Sequence, residues 1–399
     1  MTMPSSHAYL DHAATTPMVP EAIATMAEEL ARVGNPSSLH AQGRAAKRVV
    51  EESRELIAER LGARPSEVVF CSGGTEANNL AIKGLYWARH ERDPSRTRVV
   101  YSAIEHHALL DPVQWLAKHE GADVVTTGVD RAGRLLVDDL RSTVEADPGS
   151  VAAVTTMWAN NEMGSVQPVH EVVAIAREHG IAVHSDAVQA AGHLPLDFAA
   201  SGLDALTLTA HKLGGPLGIG ALLVRRGLDV VPLLHGGGQE GDLRSGTIGS
   251  ALIAAFATAV DVSAARREQT GPRLEALRSR LVDGITAIVP DAIVNGAADP
   301  AERLPNIAHV TFPGCEGDAM LMLFDARGVS VSTGSACTAG VPQPSHVLLA
   351  MGYDETAARG SLRFSLGHSS TDDDVDRVLA ALPEVHARAV SASSARGAR

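Results

Sequence analysis

Three short stretches carry residue types whose chemistry fits together. In CSGGTEANN (71–79) an apolar stretch runs into Ser-Gly-Gly-Thr before a helical pattern begins. Glycines let backbone N–H groups approach a ligand closely. A helix start adds free donors and the positive end of the dipole, so the turn suits an anion such as phosphate. An ordinary strand-to-helix turn has the same composition. In HSDAVQ (184–189) a strand candidate ends on Asp186. A carboxylate there can pair with a cationic ring nitrogen, or it can simply cap a helix. In TLTAHKLGGPLGIG (207–220) an apolar strand leads to His211 and Lys212, then to a glycine-rich turn. A lysine desolvated at a strand end can lose its proton and form a Schiff base. Most lysines are surface residues, but the strand before this one and the glycines after it weigh against that. Together these are the parts that pyridoxal phosphate requires: a lysine for the aldehyde carbon, an acid for the ring nitrogen and a helix start for the phosphate.

Other residues add to this set. Cys337 lies in STGSACTAGVPQPSH (332–346), which has loop composition. An accessible thiolate there is a candidate nucleophile. Cys71 ends a strand candidate and reads as a small core residue, and Cys315 sits beside acids in FPGCEGD, which disfavours its thiolate. Arg363 is a charge inside the apolar SLRFSLG (361–367). Burying it needs an anion, either a substrate carboxylate or an internal acid. Seventeen histidines include the pair His106-His107, but neither HExxH nor a zinc-spaced Cys/His cluster occurs. A histidine after a strand can instead stack on a planar ring. Gly236, Gly238 and Gly241 match a dinucleotide spacing. The acid that should follow, Asp261, falls in a helical run, which contradicts that fingerprint.

An α/β pattern positions these residues. Val49 to Leu61 has helical spacing, closed by Gly62. Strand candidates are 67–71, 98–101, 122–126, 151–157, 181–184, 205–209 and 219–224, with helical stretches between most of them. Such alternation predicts a mainly parallel sheet, with ligands at the carboxyl ends of its strands. From residue 262 the texture changes: Val262 to Ile288 reads as one long helix or a broken pair, followed by short strands at 309–312 and 361–366 and a closing helix after Thr371. The expected division is a large domain over 15–261, a smaller α+β domain from 1–14 with 262–385, and a flexible tail over 386–399.

With 45% hydrophobic and 20% charged residues the chain can bury a large core. A net charge of −13 argues against nucleic acid as a direct partner. The longest largely apolar run, 251–260, is about half of what a bilayer span needs. The N-terminus lacks a secretory pattern and three cysteines cannot form a disulfide framework, so a cytoplasmic location is expected.

LDHAATTP (10–17), GNPSSLH (34–40), SGGTEANNLAIKG (72–84), EHHALLD (105–111), WANNEMG (158–164), HSDAVQ, AHKLGGPLGIGALL, HGGGQEGDLRSGT (235–247), STGSACTAG and SLRFSLG follow one another in a familiar order. From about residue 8 to 385 the chain resembles the cysteine desulfurases, class V of the fold-type I pyridoxal-phosphate enzymes, in their NifS/IscS-like group. The resemblance implies a mainly parallel seven-stranded sheet in the large domain. It makes Lys212 the Schiff-base lysine and Cys337 the sulfur acceptor. Asp186 would pair with the ring nitrogen, Gln189 would reach the ring hydroxyl, and His106 would stack on the ring. Gly74, Thr75, Thr209 and His211 would hold the phosphate, joined by Thr247 from a second subunit of a homodimer. Asn161 would lie near cofactor and substrate, and Arg363 and Asn35 would take the substrate carboxylate. Thr209-Ala210 departs from the usual Ser-Gly but keeps the hydroxyl. Ala339, Gly215 and Leu217 also depart, which bears on partners more than on chemistry. The implied reaction takes L-cysteine to L-alanine and leaves a persulfide on Cys337. An iron–sulfur scaffold protein or a tRNA-thiolating enzyme would receive the sulfur, and Cys337 could transiently ligate a cluster with the scaffold; no intrinsic metal is implied. A selenocysteine lyase or an aminotransferase of the same class is the alternative.

Overall fold

The computed structural model describes residues 7–334 and 344–397, with side chains described through 393. Cys337 therefore lies outside the described residues.

All seven early strand candidates join one sheet. They are β2 (Val68–Cys71), β3 (Arg98–Ser102), β4 (Asp123–Thr127), β5 (Val151–Thr155), β6 (Ala182–Asp186), β7 (Ala205–Thr209) and β8 (Gly220–Val224), which follow β1 (Ala8–Tyr9) in the chain. The order is β2-β8-β7-β6-β5-β3-β4. Pairs from β7 through β4 are parallel, and β8 runs antiparallel to both its neighbours. β5, β6, β7 and β8 are buried at every residue; β5 and β8 read as largely apolar runs, whereas β6 and β7 bury His184, Ser185, Asp186, Thr207 and Thr209 among apolar neighbours. Because β3, β5, β6 and β7 are parallel, the loops after them open on one edge. Residues 210–219, including Lys212, lie in the β7–β8 turn on that same edge, closed by the pairing of Thr209 with Gly220.

A second apolar core lies beyond this sheet. It is built on the antiparallel β9 (Ile293–Asn295), β10 (Ile307–Thr311) and β12 (Ser361–Ser365), while β11 (Val329–Ser330) pairs in parallel with β1. One unbroken helix, Ser250–Ile288, joins the two cores. It starts earlier than the charge pattern indicated, because the apolar stretch 251–260 is its buried first half. Ile253, Phe256 and Val260 pack in the first core, and Leu274, Leu281 and Ile285 pack in the second. The expected boundary at 261/262 thus falls within a continuous helix.

The last helix, Asp372–Gly397, corrects the expectation of a flexible tail from residue 386. Val385 and Ala389 are buried in the second core, and alanine is the strongest helix former. Alanine-rich composition there marks a helix, not fraying. No helix among the described residues is long and apolar enough to cross a membrane.

Candidate active site

The three chemistry-bearing turns meet because two glycines let their backbones touch. A Cβ on Gly220 would stand 2.9 Å from the Cα of Gly73, so the start of β8 presses against the turn after β2. A Cβ on Gly74 would stand 3.1 Å from Val188 and 3.7 Å from Thr209 Cβ. The first turn of the helix Gly74–Arg92 is therefore seated between the ends of β6 and β7. Its leading N–H groups have no acceptor within the helix, and Gly74 and Thr75 line a cavity of about 390 Å³. That size is ordinary for a small-molecule site.

Asp186, the last residue of β6, is 6% exposed and lines the same cavity. Its Oδ1 accepts the Val188 N–H at 2.9 Å, and its Oδ2 accepts the Asn78 side-chain amide at 2.6 Å. Asn78 was not singled out from sequence. It stands one helical turn after Gly74, and that spacing is the only signal that could have found it. Its Oδ1 is buried without a partner. A hydrogen bond to a charged group is worth about 1.5–3 kcal/mol. Asn78→Ala is therefore expected to weaken retention of a cofactor that pairs with Asp186 by roughly ten- to a hundred-fold. Equilibrium dialysis of the folded variant checks this, and unchanged retention would show that Asp186 needs no such support.

Behind Asp186 the ionisable side chains are fully buried. His184 is fully buried between Thr155 and Thr207, at 2.9 Å from each hydroxyl, and burial lowers its pKa to about 3. Glu105 is fully buried, with Oε1 on the Met157 N–H at 2.7 Å. Burial, then repulsion from Asp186, holds its pKa well above the usual carboxylate range. Next to it, His106 caps the helix His107–Glu120 by accepting the Ala108 N–H on Nδ1 at 3.0 Å. The neutral ring then carries its proton on Nε2. Burial and, secondarily, Lys212 lower its pKa against the pull of Asp186.

Lys212 reaches the cavity from the short turn after β7. Its Nζ donates to the carbonyl of Ala13 and, at 2.6 Å, to that of Ala14. Burial first, then repulsion from Arg363, lowers its pKa to about 8, against opposing pulls from Asp11 and Asp186. The LDHAATTP segment thus supplies the lysine's acceptors through its main chain. Gln189 joins it by donating to Ala13 O at 2.9 Å. His211 lies 3.3 Å from the Thr15 hydroxyl, with a pKa lowered to about 4 by burial. Gln189, Thr209 and His211 all line the cavity.

Arg363 enters from β12, on the second core, and is 4% exposed. One terminal nitrogen donates to Asn161 O at 2.9 Å and the other to Asp11 Oδ1 at 2.8 Å. Both sequence expectations therefore have a counterpart, since the arginine has an internal acid and also lines the cavity beside Asn161. Its Nε is buried without a partner. Two predicted residues are not brought in: Asn35 and Thr247 are exposed and do not line the cavity, and Asn35 Oδ1 accepts the Ser37 N–H at 2.9 Å. The cavity wall does include Ser332 and Gly334, where the described chain stops before Cys337. Cys71 and Cys315 are buried free thiols. Burial pushes Cys71 far above the ordinary thiol range, and burial followed by Asp291 pushes Cys315 up to about 11.

The cavity thus offers a helix N-terminus, a buried carboxylate, an amine with a lowered pKa and an arginine whose Nε has no partner. The model of the family described as aminotransferase class-V matches residues 8–378. An IscS-like cysteine desulfurase of Mycobacterium tuberculosis is 55% identical over 388 residues, 97% of this chain and 98% of its own. A solved NifS-like protein superposes with a TM-score of 0.87 at 32% identity, covering 96% of this chain and 100% of the other. A structure of SspA in complex with cysteine gives 0.77 at 35% identity, over 90% and 98% of the two chains.

Proposed function

The chain belongs to the aminotransferase class-V family, as a cysteine desulfurase of the NifS/IscS-like group, and we propose from that premise how its own residues divide the work. The single observation that carries the assignment is that the Lys212 amine, the Asp186 carboxylate and the Gly74 helix start open into one cavity whose wall runs to Gly334, three residues before Cys337.

Pyridoxal phosphate fits this donor set. Gly74, Thr75, Thr209 and His211 would hold its phosphate, Asp186 its ring nitrogen, Gln189 its ring hydroxyl, His106 its face and Lys212 its aldehyde carbon. When bound, it supplies an electron sink that makes the Cα proton of an amino acid acidic. The protein does the rest. Arg363 and Asn161 orient cysteine by its carboxylate, a planar fork suited to that group. The cysteine complex of the related SspA supports this substrate. Lys212 Nζ, with a pKa near 8, takes the Cα proton and later returns a proton to carbon, because its neutral and charged forms are close in energy at neutral pH. The apolar lining from Ala13, Met157, Ala159 and Val188 keeps bulk water from that proton. The Cys337 thiolate takes the substrate sulfur: an S–S bond forms, the substrate C–S bond breaks, and the three-carbon remainder leaves as alanine.

The partner assignments belong to the same proposal. Thr247, exposed on its own protomer, faces the phosphate of a second copy, and Asn35 serves the substrate carboxylate. An iron–sulfur scaffold protein or a tRNA-thiolating enzyme receives the persulfide sulfur in the cytoplasm. If Thr247 completes the neighbour's phosphate site, dilution to monomer should release cofactor. A fully active monomer in sedimentation would contradict the shared site. The function itself is tested by incubating the enzyme with L-cysteine and a reductant. Sulfide and alanine are expected in equal amounts; pyruvate or keto-acid formation without sulfide would reject desulfuration.

A further inference from the structure

The turn assigned to the cofactor phosphate carries a negative charge of its own. Glu76 sits in the first turn of the helix Gly74–Arg92. Its Oε2 accepts the Ser72 N–H at 2.8 Å, so the carboxylate lies against the turn whose Gly74 and Thr75 line the cavity. A carboxylate suits a helix start that holds no other anion. Beside a phosphate it repels, because like charges then share one set of donors. Arg244 answers that charge. From the segment 235–247 its Nε donates to Glu76 Oε1 at 2.9 Å. The two side chains are mostly covered, 18% exposed for Arg244 and 15% for Glu76, so salt screens the pair less than it would a surface pair. Burial alone would raise the Glu76 pKa; Arg244 and the Ser72 N–H outweigh it and hold the carboxyl below its usual range. Glu240, the other acid facing Arg244, is engaged elsewhere. Its two oxygens accept both terminal nitrogens of Arg54 at 2.8 Å, and one of them also accepts the Phe70 N–H. Among the described residues Arg244 is the only cation within ion-pair distance of Glu76. Neither residue lines the cavity.

We propose that Arg244 is a positioning residue for the phosphate end of the cofactor: by neutralising Glu76 it leaves the Gly74 helix start free to take a second anion. The proposal rests on the reading of Gly74 and Thr75 as the phosphate site. It differs from simple fastening of the turn in two ways. The loss on removing Arg244 falls on ligands that carry a phosphate and spares those that do not. Glu76 is harmful to phosphate binding once Arg244 is gone, so removing its charge as well restores what the first substitution took away.

The test is equilibrium binding to the apoenzyme, followed by absorbance, with pyridoxal phosphate and with pyridoxal, which lacks the phosphate. Arg244→Ala should bind pyridoxal phosphate roughly ten-fold more weakly at low salt, the scale of one like-charge contact in a partly covered site. The loss should shrink at about 1 M salt, where the screening length is about 3 Å. Affinity for pyridoxal should stay within about two-fold of the parent. The double variant Glu76→Gln/Arg244→Ala keeps an acceptor for the Ser72 N–H and removes both charges, so it should recover to within about three-fold of the parent. Glu76→Gln alone should bind pyridoxal phosphate at least as tightly as the parent. Parental affinity in Arg244→Ala, equal losses of both ligands, or a double variant as weak as Arg244→Ala would each overturn the proposal. If Arg244→Ala does not fold, Glu76→Gln decides, and weaker binding of pyridoxal phosphate by that variant overturns it. A parent apoenzyme that binds pyridoxal as tightly as pyridoxal phosphate overturns the phosphate reading instead, and the proposal with it.

Discussion

Lys212→Ala is expected to lower turnover of L-cysteine by on the order of 10³-fold or more, the usual scale for losing a positioned acid–base group. Among the described residues Lys212 is the only lysine lining the cavity, so no neighbouring amine can replace it. The fold should survive, because the side chain's two acceptors, the carbonyls of Ala13 and Ala14, remain within reach of water in the vacated space. Borohydride reduction of the native enzyme should fix the cofactor to Lys212, and label on another lysine would refute the assignment. The pH dependence has a definite sign. Only the neutral amine reacts with an aldehyde, and the lowered pKa of about 8 means that the neutral form grows as pH rises through 8. Reductive alkylation of Lys212 in the apoenzyme should therefore rise through pH 8 and level off, while surface lysines keep rising toward about 10.4. A Lys212 profile that follows the surface lysines would show that burial does not activate it.

Cys337→Ser should uncouple the two halves of the reaction. Proton removal at Cα needs Lys212 and the cofactor residues, all of which lie elsewhere in the chain. Sulfur removal needs a thiolate able to reach the substrate sulfur. Cys71 and Cys315 cannot supply it, since both are buried and their thiol pKa values are raised. The variant should bind cofactor, change its absorbance with cysteine, exchange the Cα proton with solvent, and make no alanine above background. Cys71→Ser and Cys315→Ser should stay active, each losing roughly 1–3 kcal/mol of stability from burying a hydroxyl. Alanine production near the parental rate in Cys337→Ser would favour a lyase that releases sulfide or selenide directly.

The parts legible in the sequence are those where residue type and local pattern coincide. β6 and β7 are short and buried at every residue; β6 ends on Asp186 and β7 runs into His211 and Lys212, so strand pattern and residue type together mark both sheet and site. The parts that were not legible depend on main-chain groups or on distance. Ala13 and Ala14 accept from Lys212 through their carbonyls, which no side chain advertises. Asn78 meets Asp186 across 108 positions of sequence, and Glu162 meets Ser345 across 183. The continuous helix through 262 and the helical end past 386 were missed for a composition reason. Alanine-rich stretches have weak hydrophobic contrast, and burial of Val260 or Ala389 shows only once the partner surface is in place.

One measurement bears on the whole account. The enzyme is given one equivalent of L-cysteine carrying a heavy sulfur isotope, quenched within a turnover without reductant, and its cysteine peptides are mapped. The account predicts one labelled sulfur per active site, on Cys337, with an equal amount of alanine. Labelled sulfur on Cys71 or Cys315, or free labelled sulfide with alanine and an unmodified Cys337, would contradict it.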